Sequence, residues 1–174
     1  MYRRGNYHQD FGDGLDYYQV GATLGAGNLA PFWEDKILYP GNYKKWEILD
    51  NGPLRTTFRL TYSPFKLGGD SVEMEKTISI DAGSQLNKIE VSFRHSSGIK
   101  SLPIVIGLSK RKQPGVIYSD EQNPIMAYWE PEIGENGITG VGVVVIAKTI
   151  ATSIDKDQLL LKDTVANNNP YTYY

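Results

Sequence analysis

Apolar and polar residues alternate with a period of two along most of the chain. Over residues 54–62, Leu54, Phe58, Leu60 and Tyr62 fall on one face, and Arg55, Thr57, Arg59 and Thr61 on the other. Residues 71–80 repeat the pattern, with Val72, Met74, Ile78 and Ile80 against Glu73, Glu75, Thr77 and Ser79. Residues 86–95 continue it with Ile89, Val91 and Phe93 against Lys88, Glu90, Ser92 and Arg94. A period of two is the mark of half-buried strands. The turn-forming stretches between them, residues 63–70 and 81–84, make the set an antiparallel meander. Its polar faces carry both signs of charge, which predicts cross-strand pairs of opposite charge.

In the second half, residues 102–108 are apolar on both faces, as a central strand is. Further strands are predicted at 115–118, 125–129, 138–146 and 158–162. Residues 139–145 read as the most buried, and their glycines as a bulge or a close backbone approach. The tail, residues 166–174, reads as a loop entering a further strand. No segment has a helical period and none is repeated. The expected fold class is all-β: one antiparallel β-sandwich domain over residues 1–174.

Composition narrows this picture. A chain of 174 residues with a net charge of −2 fits one domain with a sizeable core. It has no basic footprint for nucleic acid, and no apolar run is long enough for a membrane-spanning helix. There is no cysteine, so disulfides, thiolate metal sites and a cysteine nucleophile are excluded. Charged Met1-Tyr2-Arg3-Arg4 is not followed by the apolar core of a signal peptide. Twelve tyrosines and three tryptophans suit strands. Beside Asp, Asn and Gln they also suit carbohydrate surfaces.

The densest chemical signal is Tyr7-His8-Gln9-Asp10-Phe11-Gly12-Asp13-Gly14-Leu15-Asp16-Tyr17-Tyr18. Glycines let the backbone turn tightly and bring carboxylates together. One imidazole with three carboxylates is a donor set for a divalent cation, or for a base with its orienting partner. The spacing fails the Ca²⁺-loop pattern, because Asp10, Asp13 and Asp16 are three apart. A polar surface turn with a capping histidine is the competing reading. The run at residues 20–28 lacks the pattern of a dinucleotide loop, and its small residues suit close approach to a neighbouring sheet. His95 falls with Ile89, Val91 and Phe93, as a structural histidine does. Lys110, Arg111 and Lys112 form a cationic run that is either a solvated loop or a grip on an anionic sugar, with Arg111 on the carboxylate. Trp129 beside Glu130 reads equally as a stacking and hydrogen-bonding pair for a sugar or as a core anchor. No nucleophile elbow is present, and a glycosidase carboxylate pair is left open.

Several motifs together carry a resemblance. They are the stretch from Tyr7 to Asp16, Val20-Gly21-Ala22-Thr23-Leu24-Gly25-Ala26-Gly27, Leu49-Asp50-Asn51-Gly52-Pro53-Leu54-Arg55-Thr56-Thr57-Phe58, Ile80-Asp81-Ala82-Gly83-Ser84-Gln85-Leu86-Asn87 and Ala127-Tyr128-Trp129-Glu130-Pro131. The chain resembles a bacterial domain-of-unknown-function family of polysaccharide-utilisation systems, related to oligosaccharide dehydratases that act on ulvan-type uronic-acid sugars. The resemblance implies a twisted, galactose-mutarotase-like supersandwich, a periplasmic or extracellular home and an acidic oligosaccharide as partner. Its members are longer at both ends, so this stretch is expected to be part of a longer domain. Removing water from a terminal uronic acid then assigns His8 to proton transfer with Asp10 or Asp16 as orienter, and Tyr7, Tyr17 or Tyr18 sharing that role. Lys110 and Arg111 meet the carboxylate, and Trp129 and Glu130 position the sugar. No organic cofactor is called for. A non-catalytic carbohydrate-binding or structural module, and a mutarotase-like glycoside hydrolase or epimerase, are the alternatives.

Overall fold

The computed structural model describes residues 11, 12, 14, 16, 20–96, 99–132, 134, 137–146 and 150–174. Among them the chain is all-β and antiparallel. In chain order the strands are β1 (Ala26–Trp33), β2 (Lys36–Ile37), β3 (Tyr43–Asn51), β4 (Arg55–Tyr62), β5 (Phe65–Leu67), β6 (Asp70–Asp81), β7 (Lys88–His95), β8 (Ser101–Ser109), β9 (Val116–Asp120), β10 (Ile125–Trp129), β11 (Gly140–Val144), β12 (Ala151–Ile154), β13 (Gln158–Ala166) and β14 (Tyr171–Tyr173). The strands that alternation predicts are present, and β14 is the strand expected in the tail. No helix among the described residues is long and apolar enough to cross a membrane.

Two layers form the sandwich. One is a five-stranded sheet of order β12-β13-β8-β1-β2. The other contains the meander, β14-β7-β6-β4-β3 with β5 on β6, together with a three-stranded sheet β11-β10-β9. The bridge Val145↔Tyr173 and reciprocal backbone hydrogen bonds of 2.8 Å between Val144 and Tyr174 join β11 to β14. The core lies where the inner faces meet. Leu29, Ile104, Ile106, Leu108, Leu159 and Leu161 pack from the first layer against Val72, Met74, Val91, Phe93, Tyr128 and Tyr173 of the second. Strand β8 lies between β13 and β1. It is apolar on both faces because its outer face meets a second cluster, of Leu24, Ala30, Val105 and Leu160.

The predicted charge pairing is present on the outer face of the meander. Glu73 is directly opposite Arg94, Asp81 opposite Arg55 and Glu47 opposite Arg59, and each pair is an ion pair. The Arg55 guanidinium holds the Asp81 carboxyl below the usual carboxylate range. His95 is buried on the inner face opposite Val72. Its N–H donates to Asn167 Oδ1 and its carbonyl accepts from Asn167 Nδ2. A Cβ at Gly27 would stand 3.1 Å from Val143 Cγ2, the close inter-sheet approach that the small residues there suggested.

The reading of residues 139–145 needs correction. Strand β8, not β11, is the most buried. One face of β11 is solvent-exposed, and Gly140 and Gly142 lie on it. The register with β10 is regular, without a bulge.

Candidate functional site

The cationic run follows directly from the end of β8. Ser109 N–H donates to the Gly25 carbonyl and Lys110 N–H to the Asp157 carbonyl, so the chain leaves the sheet beside the turn between β12 and β13. Lys110 Nζ donates to the Asp155 carbonyl at 3.0 Å. The Arg111 N–H then donates to the Tyr128 hydroxyl at 3.2 Å. Tyr128 is buried on the inner face of β10, so its hydroxyl ties the exit loop to the core.

Two strand positions beyond Tyr128, alternation points Glu130 inward as well. Glu130 is 2 % exposed, and its Oε2 lies 3.0 Å from Arg111 Nε. The Glu130 N–H donates to the Thr139 carbonyl at 2.9 Å, which fixes the end of β10. The arrangement is a buried carboxylate holding a guanidinium from behind. In front of it opens a cleft of about 880 Å³, lined by Lys110, Arg111, Lys112, Lys156, Asp157 and Tyr128 among others. The lining stays positive when Asp157 and Glu130 are set against the four cations. Sugar and cofactor clefts have this size, and convergent cations suit a carboxylate or phosphate.

The structure therefore brings Lys110, Arg111 and Glu130 together, although Arg111 and Glu130 are 19 residues apart in sequence. It separates Trp129 from Glu130. Neighbours on a strand point to opposite faces, so Trp129 stands on the outer face, 56 % exposed. The pair does not form one sugar-binding corner, and Glu130 is too buried to meet a ligand at the surface. Its place is behind Arg111, as a positioning residue. Tyr7, His8, Asp10, Tyr17 and Tyr18 lie outside the described residues. Asp16 is exposed. Among the described residues no group of three or more His, Asp or Glu is placed to hold a metal ion.

Sequence reasoning missed Tyr128 and Lys156. Tyr128 reads as an ordinary inward strand residue, and only the fold puts its hydroxyl under the exit loop. Lys156 sits in a charged turn whose sole signal was Asp155-Lys156-Asp157 before a strand. The pairing Gln158↔Ser109 brings that turn to the end of β8.

Comparison with known proteins agrees with the expectation of a domain-of-unknown-function family. "Uncharacterized protein P7" of Formosa agariphila is 29 % identical over 175 residues, which is 98 % of this chain and 43 % of that protein. The chain thus spans less than half the length of this relative. No solved structure matches the chain. The match that covers all of residues 1–174 is to the domain of unknown function DUF4861, and the chain belongs to that family.

Proposed function

We propose that this chain is part of a carbohydrate-active protein and grips the carboxylate of a uronic-acid-terminated oligosaccharide in the cationic cleft. We propose further that the reaction served is removal of water from that terminal sugar. The cleft carries the first statement: lysines surround an arginine backed by a buried glutamate, at an opening sized for a sugar. The resemblance to ulvan-oligosaccharide dehydratases supports the second, together with a periplasmic or extracellular home.

The chemistry asks for what such a cleft supplies. Dehydration across C4–C5 breaks the C5–H and C4–O bonds and forms a C4=C5 double bond. A base takes the C5 proton, and charge moves into the carboxylate. An acid protonates the departing C4 hydroxyl, which leaves as water. Fixed cations at the carboxylate favour the charge-bearing transition state over the ground state. Arg111 and Lys110 take that role here, with Glu130 fixing the guanidinium. His8 serves the proton transfers, with Asp10 or Asp16 orienting it and Tyr7 or Tyr18 as further donors.

The test is to incubate the protein with uronic-acid-terminated ulvan oligosaccharides and follow the ultraviolet absorbance of the new conjugated double bond. The expected result is a rise that His8→Ala abolishes and that Arg111→Ala slows by roughly 10²-fold or more. Full turnover by His8→Ala would remove the catalytic assignment. Binding without absorbance would leave a carbohydrate-binding module. A new reducing end without unsaturation would point instead to a hydrolase.

A further inference from the structure

The outer face of the β9–β10–β11 sheet presents a second feature that the cleft does not use. Cross-strand register places Trp129 between Val116 and Gly140, and Ala127 between Tyr118 and Gly142. Trp129 and Tyr118 are therefore diagonal neighbours on one face, within reach of each other's rings. Both are exposed, at 56 % and 53 %. The groove they line holds about 390 Å³, with Val116 completing its apolar wall.

Gly140 sets the orientation of the indole. A Cβ there would lie 2.3 Å from Trp129 Cε3 and 2.4 Å from Cζ3. The six-membered ring thus rests on bare backbone and turns its other side to solvent. A large aromatic left this open forgoes the burial that would stabilise it, yet its strand is held on both sides by regular pairing.

This groove adjoins the cationic cleft. Tyr128 lines both. Along the edge strand, Ile117 lines the cleft while Val116 and Tyr118 line the groove, so the two openings lie on either side of one strand edge. On the uronate reading of the cleft, an oligosaccharide would reach the groove by passing over that edge. A pyranose presents a flat face of C–H groups, which complements an exposed aromatic ring, and needs no charge there.

We propose that Trp129, with Tyr118, is a stacking platform for a second sugar ring of the oligosaccharide whose terminal uronate occupies the Lys110–Arg111 cleft. The proposal rests on the uronate reading of that cleft and adds a length preference to it.

Calorimetric titration of the protein with free glucuronate and with a glucuronate-terminated ulvan tetrasaccharide tests it. The tetrasaccharide is expected to bind about tenfold tighter than glucuronate, the order of gain that one aromatic contact contributes. Trp129→Ala is expected to erase that difference at unchanged glucuronate affinity, and Trp129→Tyr to keep most of it. Gly140→Ala, which displaces the ring, is expected to act as Trp129→Ala does, with circular dichroism confirming the fold of each variant. If both ligands bind but Trp129→Ala leaves the tetrasaccharide affinity untouched, the platform is overturned and the cleft reading stands. If sedimentation shows Trp129→Ala dissolving a dimer at unchanged sugar affinity, the face is an interface between copies and the proposal is likewise overturned. If neither ligand binds the unaltered protein, the cleft reading fails and takes the platform with it.

Discussion

A carboxylate as buried as that of Glu130 needs a cation beside it, and Arg111 at 3.0 Å is that cation. Removing one side of a buried pair leaves the other charge uncompensated, a loss of about 3–5 kcal/mol, whereas replacing both by apolar groups of similar volume is close to neutral. Glu130→Ala and Arg111→Ala are each expected to lose about that much in urea denaturation. The double variant Arg111→Met/Glu130→Leu is expected to return near the unaltered stability without uronate affinity. Strictly additive losses in the double variant would contradict the pairing. Lys76 is the opposite case, a buried ammonium whose neighbours are neutral. Its Nζ donates to Asn28 Oδ1 and, at 3.4 Å, to the Leu29 carbonyl, and it lies 5.6 Å from the Tyr62 ring centroid. Burial lowers its pKa from 10.5 to about 8. Below that value the folded chain bears the full cost of the buried charge, about 3 kcal/mol, and the cost is relieved as pH rises toward the unfolded value. Burial pushes the Tyr62, Tyr171 and Tyr173 phenols up, so their contribution is lost as pH rises above the ordinary tyrosine value. Stability is expected to climb from about pH 8 to about pH 10 and then fall. Lys76→Met should flatten the climb and raise stability at pH 7, as read by chemical denaturation across that range. An equally steep climb in the Met variant would show that Lys76 is not its source. The candidate residues Lys110, Arg111, Trp129 and Glu130 were legible as types. That Glu130 serves Arg111 rather than a sugar was not, because the burial of a side chain depends on which layer lies over its strand.

At the scale of elements, β8 was the most legible, since apolar residues on both faces leave a central position as its only comfortable place. Gly107, in its middle, faces Leu24. An added Cβ would stand 2.7 Å from Leu24 Cβ and 3.1 Å from Gln158 Oε1, and a Cβ is anchored to backbone and gives little. Gly107→Ala is expected to cost about 1–3 kcal/mol, seen as a lower urea midpoint at unchanged slope. An unaltered midpoint would mean that β1 and its preceding turn shift freely. Strands β1 and β3 were not legible. Strand β1 contains Gly27 and Pro31, both poor strand residues. It tolerates the first at a register shift between Ala26 and Asn28. At the second, the Pro31 carbonyl still accepts from Leu38 N–H. Strand β3 is exposed at every position, so its alternation of Trp46 and Ile48 with Lys45 and Glu47 has no burial contrast behind it.

At the scale of the whole molecule, one layer is wider than the other. The row Ile48, Phe58, Ile78, Ile89 and Tyr173 crosses five paired strands on the inner face. It begins 50 % exposed at Ile48 and ends 1 % exposed at Tyr173. The parallel row through Trp46, Leu60 and Lys76 begins 62 % exposed at Trp46. Equal residues in one row are thus unequal in energy. Trp46→Ser is expected to change stability by no more than about 1 kcal/mol while weakening the binding of an apolar dye such as ANS. Phe93→Ala, in the covered part, is expected to cost about 3–5 kcal/mol. A large loss from Trp46→Ser would show that the β3 edge is covered in solution. The sequence by itself determined the all-β class, the strand meander, its charged outer face and the residue types of the cationic run, because each follows from alternation or composition within a few residues. Only the tertiary structure decided that Arg111 meets Glu130, that Lys156 joins the cleft, and that Trp129 faces away from Glu130 onto a groove of its own. Those facts depend on which strands pair and which layer covers them, relations between residues far apart in the chain that a local pattern does not carry.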